Sequence, residues 1–146
     1  MKADAYADSS FIISLLRIDA NHEAAMRYMA QSGETLAFNP LQRVELRNAL
    51  RNAQALGQVT ESERRLAFRQ IEQDLQAGLL IQTPVKWSDV FRLADELSDK
   101  HAARDGQRTI DLLHVALAIE CGAKTFLSFD QRQRRLAKAA SLSVKP

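Results

Sequence analysis

Cysteine is nearly absent. The single Cys121 among 146 residues excludes an intrachain disulfide framework and a cysteine-rich zinc site, and it suits a reducing compartment. Proline and glycine are scarce, at three and five residues, too few for the turns of a many-stranded β sandwich and in keeping with long helices rich in Ala, Leu, Arg and Gln. Aromatic residues make up 6%, which disfavours a stacking platform for single strands. No apolar run approaches the roughly 18 residues of a membrane span. Met1 to Asp8 hold two aspartates and one lysine, the wrong charge pattern for a secretory signal, so the expectation is a cytoplasmic protein with no membrane partner. A Walker loop, a G-x-G-x-x-G turn and an H-E-x-x-H pair are also missing.

What is present is a globular composition, 46% hydrophobic and 26% charged. Its length suits one domain spanning residues 1–146 that buries about two-thirds of its surface. A net charge of +2 says little about partners, but 14 of the 20 basic residues are Arg, which pairs bidentately with phosphate or carboxylate. An Arg-rich helix surface is the plainer explanation, because Arg forms helix well and covers apolar surface with its stem.

Along the chain, Ala3 to Ala7 leads into the polar corner Asp8-Ser9-Ser10 and the apolar run Phe11 to Ile18, the pattern of a strand feeding a capped helix. A helix is expected from Asn21, as its cap, to Gln31, with Gly33 closing it. Thr35 to Phe38 is β-tolerant, and Asn39-Pro40 reads as an N-cap followed by Pro at the first helical position. Thr60 and Glu63 form a capping box ahead of the stripe Ala67, Phe68, Ile71, Leu75. Leu79 to Thr83 reads as a buried strand, and Trp87 to Leu97 as an amphipathic helix giving way to a polar stretch from Ser98 to Thr109. Ile110 to Cys121 is apolar almost all round and therefore a buried helix. Thr125 to Phe129 is a strand, Gln131 to Ala140 a basic helix capped by Asp130, and Leu142 to Val144 an edge strand. Strands alternating with helices specify an α/β domain, an α/β/α sandwich around a small parallel sheet, whose active region lies outside the strand carboxyl ends.

Two aspartates fall there, Asp8 after the first strand and Asp130 after the fourth. Either alone reads first as a helix cap. Asp111 opens the most apolar helix of the chain, where an uncompensated carboxylate costs several kcal/mol by order of magnitude; capping that helix is the alternative. Glu45 falls between Leu41 and Ala49 at 100° per residue, away from Arg43, Arg47 and Arg51, so it reads as an inward acid unless it pairs with Arg on a wet face. Four carboxylates on four elements repel unless divalent cations neutralise them. With all-oxygen donors the natural ion is Mg²⁺ or Mn²⁺, and the chemistry is phosphodiester hydrolysis. His114, one turn beyond Asp111, either touches the site or is a hydrogen-bonded core residue, and Cys121 reads as a small buried hydrophobe. Arg104 and Arg108 before Asp111, and Arg132, Arg134, Arg135 and Lys138 after Asp130, are positioned to hold an RNA backbone, or else form solvated helix faces.

Three segments, Tyr6-Ala-Asp-Ser-Ser-Phe-Ile-Ile-Ser-Leu-Leu, Val44-Glu-Leu-Arg-Asn-Ala-Leu, and Asp111-Leu-Leu-His-Val-Ala-Leu-Ala through Gly122-Ala-Lys-Thr-Phe-Leu-Ser-Phe-Asp130, resemble the PIN-domain family, and within it the VapC-type toxins of bacterial toxin-antitoxin pairs. The family's acidic quartet maps onto Asp8, Glu45, Asp111 and Asp130. Its hydroxyl position near the last acid, often Thr, is Ser128 here. The resemblance implies an Mg²⁺/Mn²⁺-dependent endoribonuclease that cuts tRNA or other structured RNA, inhibits translation, is often a homodimer and is neutralised by a cognate antitoxin. It also implies Asp8, Asp111 and Asp130 as metal ligands, Glu45 as ligand or water-orienting base, and Ser10 and Ser128 as supporting hydroxyls. A PIN-like RNA-processing nuclease without an antitoxin, and a noncatalytic α/β binding module whose acids are caps, are the competing readings.

Overall fold

The computed structural model describes residues 2–146. Among them the order of elements is β1 (Ala5–Ala7), α1 (Ser9–Leu16), α2 (His22–Ser32), β2 (Leu36–Phe38), α3 (Pro40–Ala55), α4 (Glu61–Ala77), β3 (Leu80–Gln82), α5 (Trp87–Asp105), α6 (Thr109–Glu120), β4 (Thr125–Leu127), α7 (Gln131–Ala139) and β5 (Ser143–Lys145). The strands form one sheet in the order β3-β2-β1-β4-β5, every pair parallel. This is the expected α/β arrangement.

Strand alternation divides the core in two. Tyr6, Ala37 and Phe126 point to one face, where they pack with Val90, Leu97, Val115 and Leu136 of α5, α6 and α7. Ala5, Ala7, Leu36, Phe38 and Leu127 point to the other, against Phe11 and Ile12 of α1, Leu46 of α3 and Ile71 of α4. Both faces of the central strands are covered, so these strands read as continuous apolar runs.

The local signals act as their chemistry requires. Asp8 accepts from the Phe11 amide, Asn39 and Thr60 each complete a capping box, and Pro40 opens α3. Gly33 and Gly78 close α2 and α4 in the left-handed region that glycine tolerates.

Several expectations need correction. Asn21 precedes α2 but makes no side-chain cap bond. α1 stops at Leu16, which leaves Ile18 exposed. β3 is an edge strand, buried at Leu80 and open at Gln82, because nothing pairs with it beyond β2. The polar stretch after Ser98 is not a loop: α5 continues to Asp105, its half-buried His101 and Ala102 extending the Val90–Ala94–Leu97 stripe. On α3 the buried line is Gln42, Leu46, Leu50 and Ala53, while Val44, Asn48 and Ala49 are exposed, so Glu45 reaches inward from the margin of the core face. Among the described residues no helix is long and apolar enough to cross a membrane.

Candidate active site

From β1 the chain proceeds to β2 and β3 on one side of the sheet, then returns to place β4 on the opposite side of β1. The crevice at the carboxyl ends of β1 and β4 is therefore a topological switch point. Asp8 is the first residue after β1 and Ser128 the first after β4. The Ser128 hydroxyl donates to Asp8 Oδ2 across this crevice at 2.5 Å, while the Ser10 hydroxyl and the Phe11 amide donate to Oδ1 at 2.8 and 2.9 Å. Asp8 is buried, and burial pushes its carboxyl above the ordinary value despite these three donors and the favourable field of His114. Ionising Asp8 therefore costs the fold a desolvation that its three donors only partly offset.

Glu45 is held by a relay. Its Oε1 accepts from the Ser9 hydroxyl at 2.7 Å and from His114 Nε2 at 2.5 Å, and His114 Nδ1 lies 2.7 Å from the Tyr6 hydroxyl. With Nε2 carrying a proton toward Glu45, Nδ1 accepts from Tyr6 in the neutral ring and donates to it in the charged one, and the Tyr6 oxygen also accepts from Asn39 Nδ2 at 3.4 Å. Burial works to raise the Glu45 carboxyl, but the His114 hydrogen bond and charge, the Ser9 hydroxyl and the more distant Arg108 together hold it below its usual value.

Asp111 lies in the first turn of α6 and is not its cap, a position taken by Arg108. The Arg108 guanidinium reaches over that turn, with Nε 2.8 Å from Oδ2 and Nη2 3.2 Å from Oδ1. Asp130 caps α7 by accepting from the Gln133 amide at 3.0 Å, and its own amide donates to Ser128 Oγ at 3.0 Å. Ser128 therefore ties Asp130 to Asp8. Gln133 Nε2 donates to the Asp111 carbonyl at 3.2 Å, which fixes α7 against α6. Arg134 is turned inward onto the Ser128 carbonyl at 2.8 Å, whereas Arg104, Arg132, Arg135 and Lys138 are exposed.

This sheet order with acids beyond its central strands coincides with a sequence match: the PIN domain model fits residues 5–139. The chain belongs to the PIN domain family. Members of this family are nucleases acting on RNA and generally use divalent metal ions. No curated protein matches the sequence. Among solved structures, the PIN domain resembles FitAcB of Neisseria gonorrhoeae at 18% identity and a TM-score of 0.65, covering 97% of this chain and 96% of that one. It is similar to VapC20 of Mycobacterium tuberculosis, described as a sarcin-ricin loop cleaving toxin, at 18% identity and a TM-score of 0.65, covering 94% and 95%. VapBC2 of Rickettsia felis, bound to a DNA fragment from their promoter, matches at 13% identity and a TM-score of 0.62, covering 97% and 96%. At these identities the likeness is one of fold.

Among the described residues of this PIN domain, no three His, Cys, Asp or Glu side chains are gathered closely enough to hold a metal ion as they stand. Each acid is instead engaged by protein donors. The chemistry of the donor set still suits a hard dication: the acids offer only oxygen, Asp8 is buried, and the charge of Arg108 interacts with Asp111 first and then with Asp130, Asp8 and Glu45. The field of Arg108 thus reaches all four carboxylates, though only Asp111 touches it. The sequence reading missed Ser9, Tyr6 and Asn39 as members of the relay to Glu45. Ser9 was detectable as a second hydroxyl in the capping corner; the other two became visible only once β1, β2 and α6 were adjacent in space.

Proposed function

We propose that this PIN domain, read as one unit over residues 1–146, is an Mg²⁺- or Mn²⁺-dependent endoribonuclease and the toxin of a toxin-antitoxin pair that inhibits translation. The observation that carries this reading is that Asp8 and Asp130 meet through Ser128 at the switch point of a parallel sheet, with Asp111 of α6 held by Arg108 and Glu45 of α3 held by His114. Asp8, Asp111 and Asp130 would hold the ion, with Glu45 as a further ligand or water-orienting base. When bound, such an ion polarises a phosphoryl oxygen and lowers the pKa of water. The chain's own residues do the rest. Ser10 and Ser128 fix both oxygens of Asp8, and the Tyr6–His114 relay with Ser9 anchors one oxygen of Glu45 in its ionised form. Exposed Arg104 and Arg132 would contact the phosphate backbone. Inward-turned Arg134 shapes the loop after β4 instead.

Similarity to the VapC20 toxin and to the VapBC2 and FitAB assemblies supports a structured RNA substrate, tRNA or another folded RNA. It also supports a cognate antitoxin and a homodimer. The test is cleavage of purified total RNA in Mn²⁺ by the parent and by Asp8→Asn. The variant is expected to lose more than about 100-fold in rate, the scale for removing one preorganised charged group. Cleavage at the parent rate would remove the metal-site reading. Induction in a growing culture separates a toxin, which arrests growth unless Asp8 is replaced, from an RNA-processing nuclease, which does not.

A further inference from the structure

Among the described residues, Arg108 is the one basic side chain bonded to an acid of the quartet through both carboxylate oxygens. The pair is asymmetric. The Asp111 side chain is 10% exposed and that of Arg108 61%. An exposed ion pair at this spacing would contribute little. Here one partner is taken out of water, and both Asp111 oxygens, the atoms a dication would require, are already covered by the guanidinium. The same charge acts more weakly on Asp130, Asp8 and Glu45, so its removal is felt beyond Asp111. Arg108 follows the Gly106–Gln107 connection, where Gly106 takes a positive φ of 60°, and its outer surface faces solvent.

We infer that Arg108 is a built-in competitor of the catalytic dication: in the metal-free protein its guanidinium occupies Asp111, and an ion can use that carboxylate only by displacing it. This rests on the function proposed above, and it assigns Arg108 a role beyond backbone binding. Two consequences follow by linkage. Removing the guanidinium strengthens metal binding, because the ion no longer displaces a bound cation. It also weakens the metal-free fold, because a buried carboxylate loses its compensation.

The test is calorimetric titration of Mn²⁺ into EDTA-stripped, full-length parent, Arg108→Gln, Arg108→Lys, Asp111→Asn and Asp8→Asn proteins, with melting curves with and without the ion. Arg108→Gln is expected to bind Mn²⁺ about threefold to tenfold more tightly, the span of partly exposed ion pairs. It should melt lower without metal and show a larger Mn²⁺-induced rise. Arg108→Lys, a point charge without the two-pronged geometry, should fall between, and it answers the question if the Gln variant fails to fold. Equal Mn²⁺ affinity in the parent and both Arg108 variants, with Asp8→Asn and Asp111→Asn still weakened, overturns the inference and leaves the proposed function standing. Affinity unaffected by Asp8→Asn and Asp111→Asn, or no Mn²⁺ binding by any form, overturns both.

Discussion

Asp8 and Glu45 show how similar carboxyl groups acquire opposite linkage to folding. Asp8 has a folded value above its unfolded one, because burial outweighs the Ser128, Phe11 and Ser10 donors. Its ionised form therefore opposes folding above the unfolded value, and protonation on acidification relieves this. Asp8→Asn keeps a cap acceptor for the Phe11 amide and removes the charge. In the absence of metal it is expected to melt higher than the parent at pH 7, while RNA cleavage is lost. A lower melting temperature would show that the hydroxyl donors compensate the charge after all. Glu45 has a folded value below its unfolded one, so its contribution is present above the unfolded value and fades as pH falls through the folded one. The stability deficit of Glu45→Gln, measured by urea unfolding, should accordingly be larger at pH 7 than at pH 4. At the far end of the relay, Tyr6→Phe leaves the buried His114 Nδ1 without its 2.7 Å partner. The expected cost is about 1–3 kcal/mol for an unsatisfied buried group, read from the urea midpoint.

At the scale of elements, the ends of helices were more legible than their lengths. Asn39-Pro40 and Thr60-x-x-Glu63 fix the starts of α3 and α4 through short-range hydrogen bonds that need no tertiary context. Thr60→Ala should cost about 1 kcal/mol, and Thr60→Ser much less. Equal loss in the two variants would show that the threonine methyl, and not the hydroxyl, stabilises α4. The second half of α5 was illegible for the opposite reason. Its Ser98–Asp105 segment holds only a thin buried margin, and nothing local distinguishes a wet helix from a polar loop there. α5 packs extensively against α6, so that margin suffices. Glu45 is a related case. Its inward reach was legible from the helical period, but the face it borders is centred on Leu46, Leu50 and Ala53, because the exposed Val44 and Ala49 counted as apolar without being buried.

Strand order is a property of the whole molecule, and it is what brings Asp8, Ser128 and Asp130 together. The residues after each strand were readable as caps, but only the return of β4 to the far side of β1 sets Ser128 and Asp130 beside Asp8. Three-residue strands carry too little pattern to announce that order. Phe126 stacks on Tyr6 at 5.9 Å between ring centroids and thereby locks β4 to β1 in this register. If the carboxylates hold a dication as proposed, the folded protein gains stability from added cations. Saturation at 100 times Kd contributes about 2.7 kcal/mol, which for a chain of this size raises Tm by roughly 5–10 °C. Millimolar Mn²⁺ should therefore raise Tm by that order, EDTA should reverse the rise, and Asp8→Asn should abolish it. An α/β binding module whose acids only cap helices would show no rise, because its carboxylates would need no ion in common.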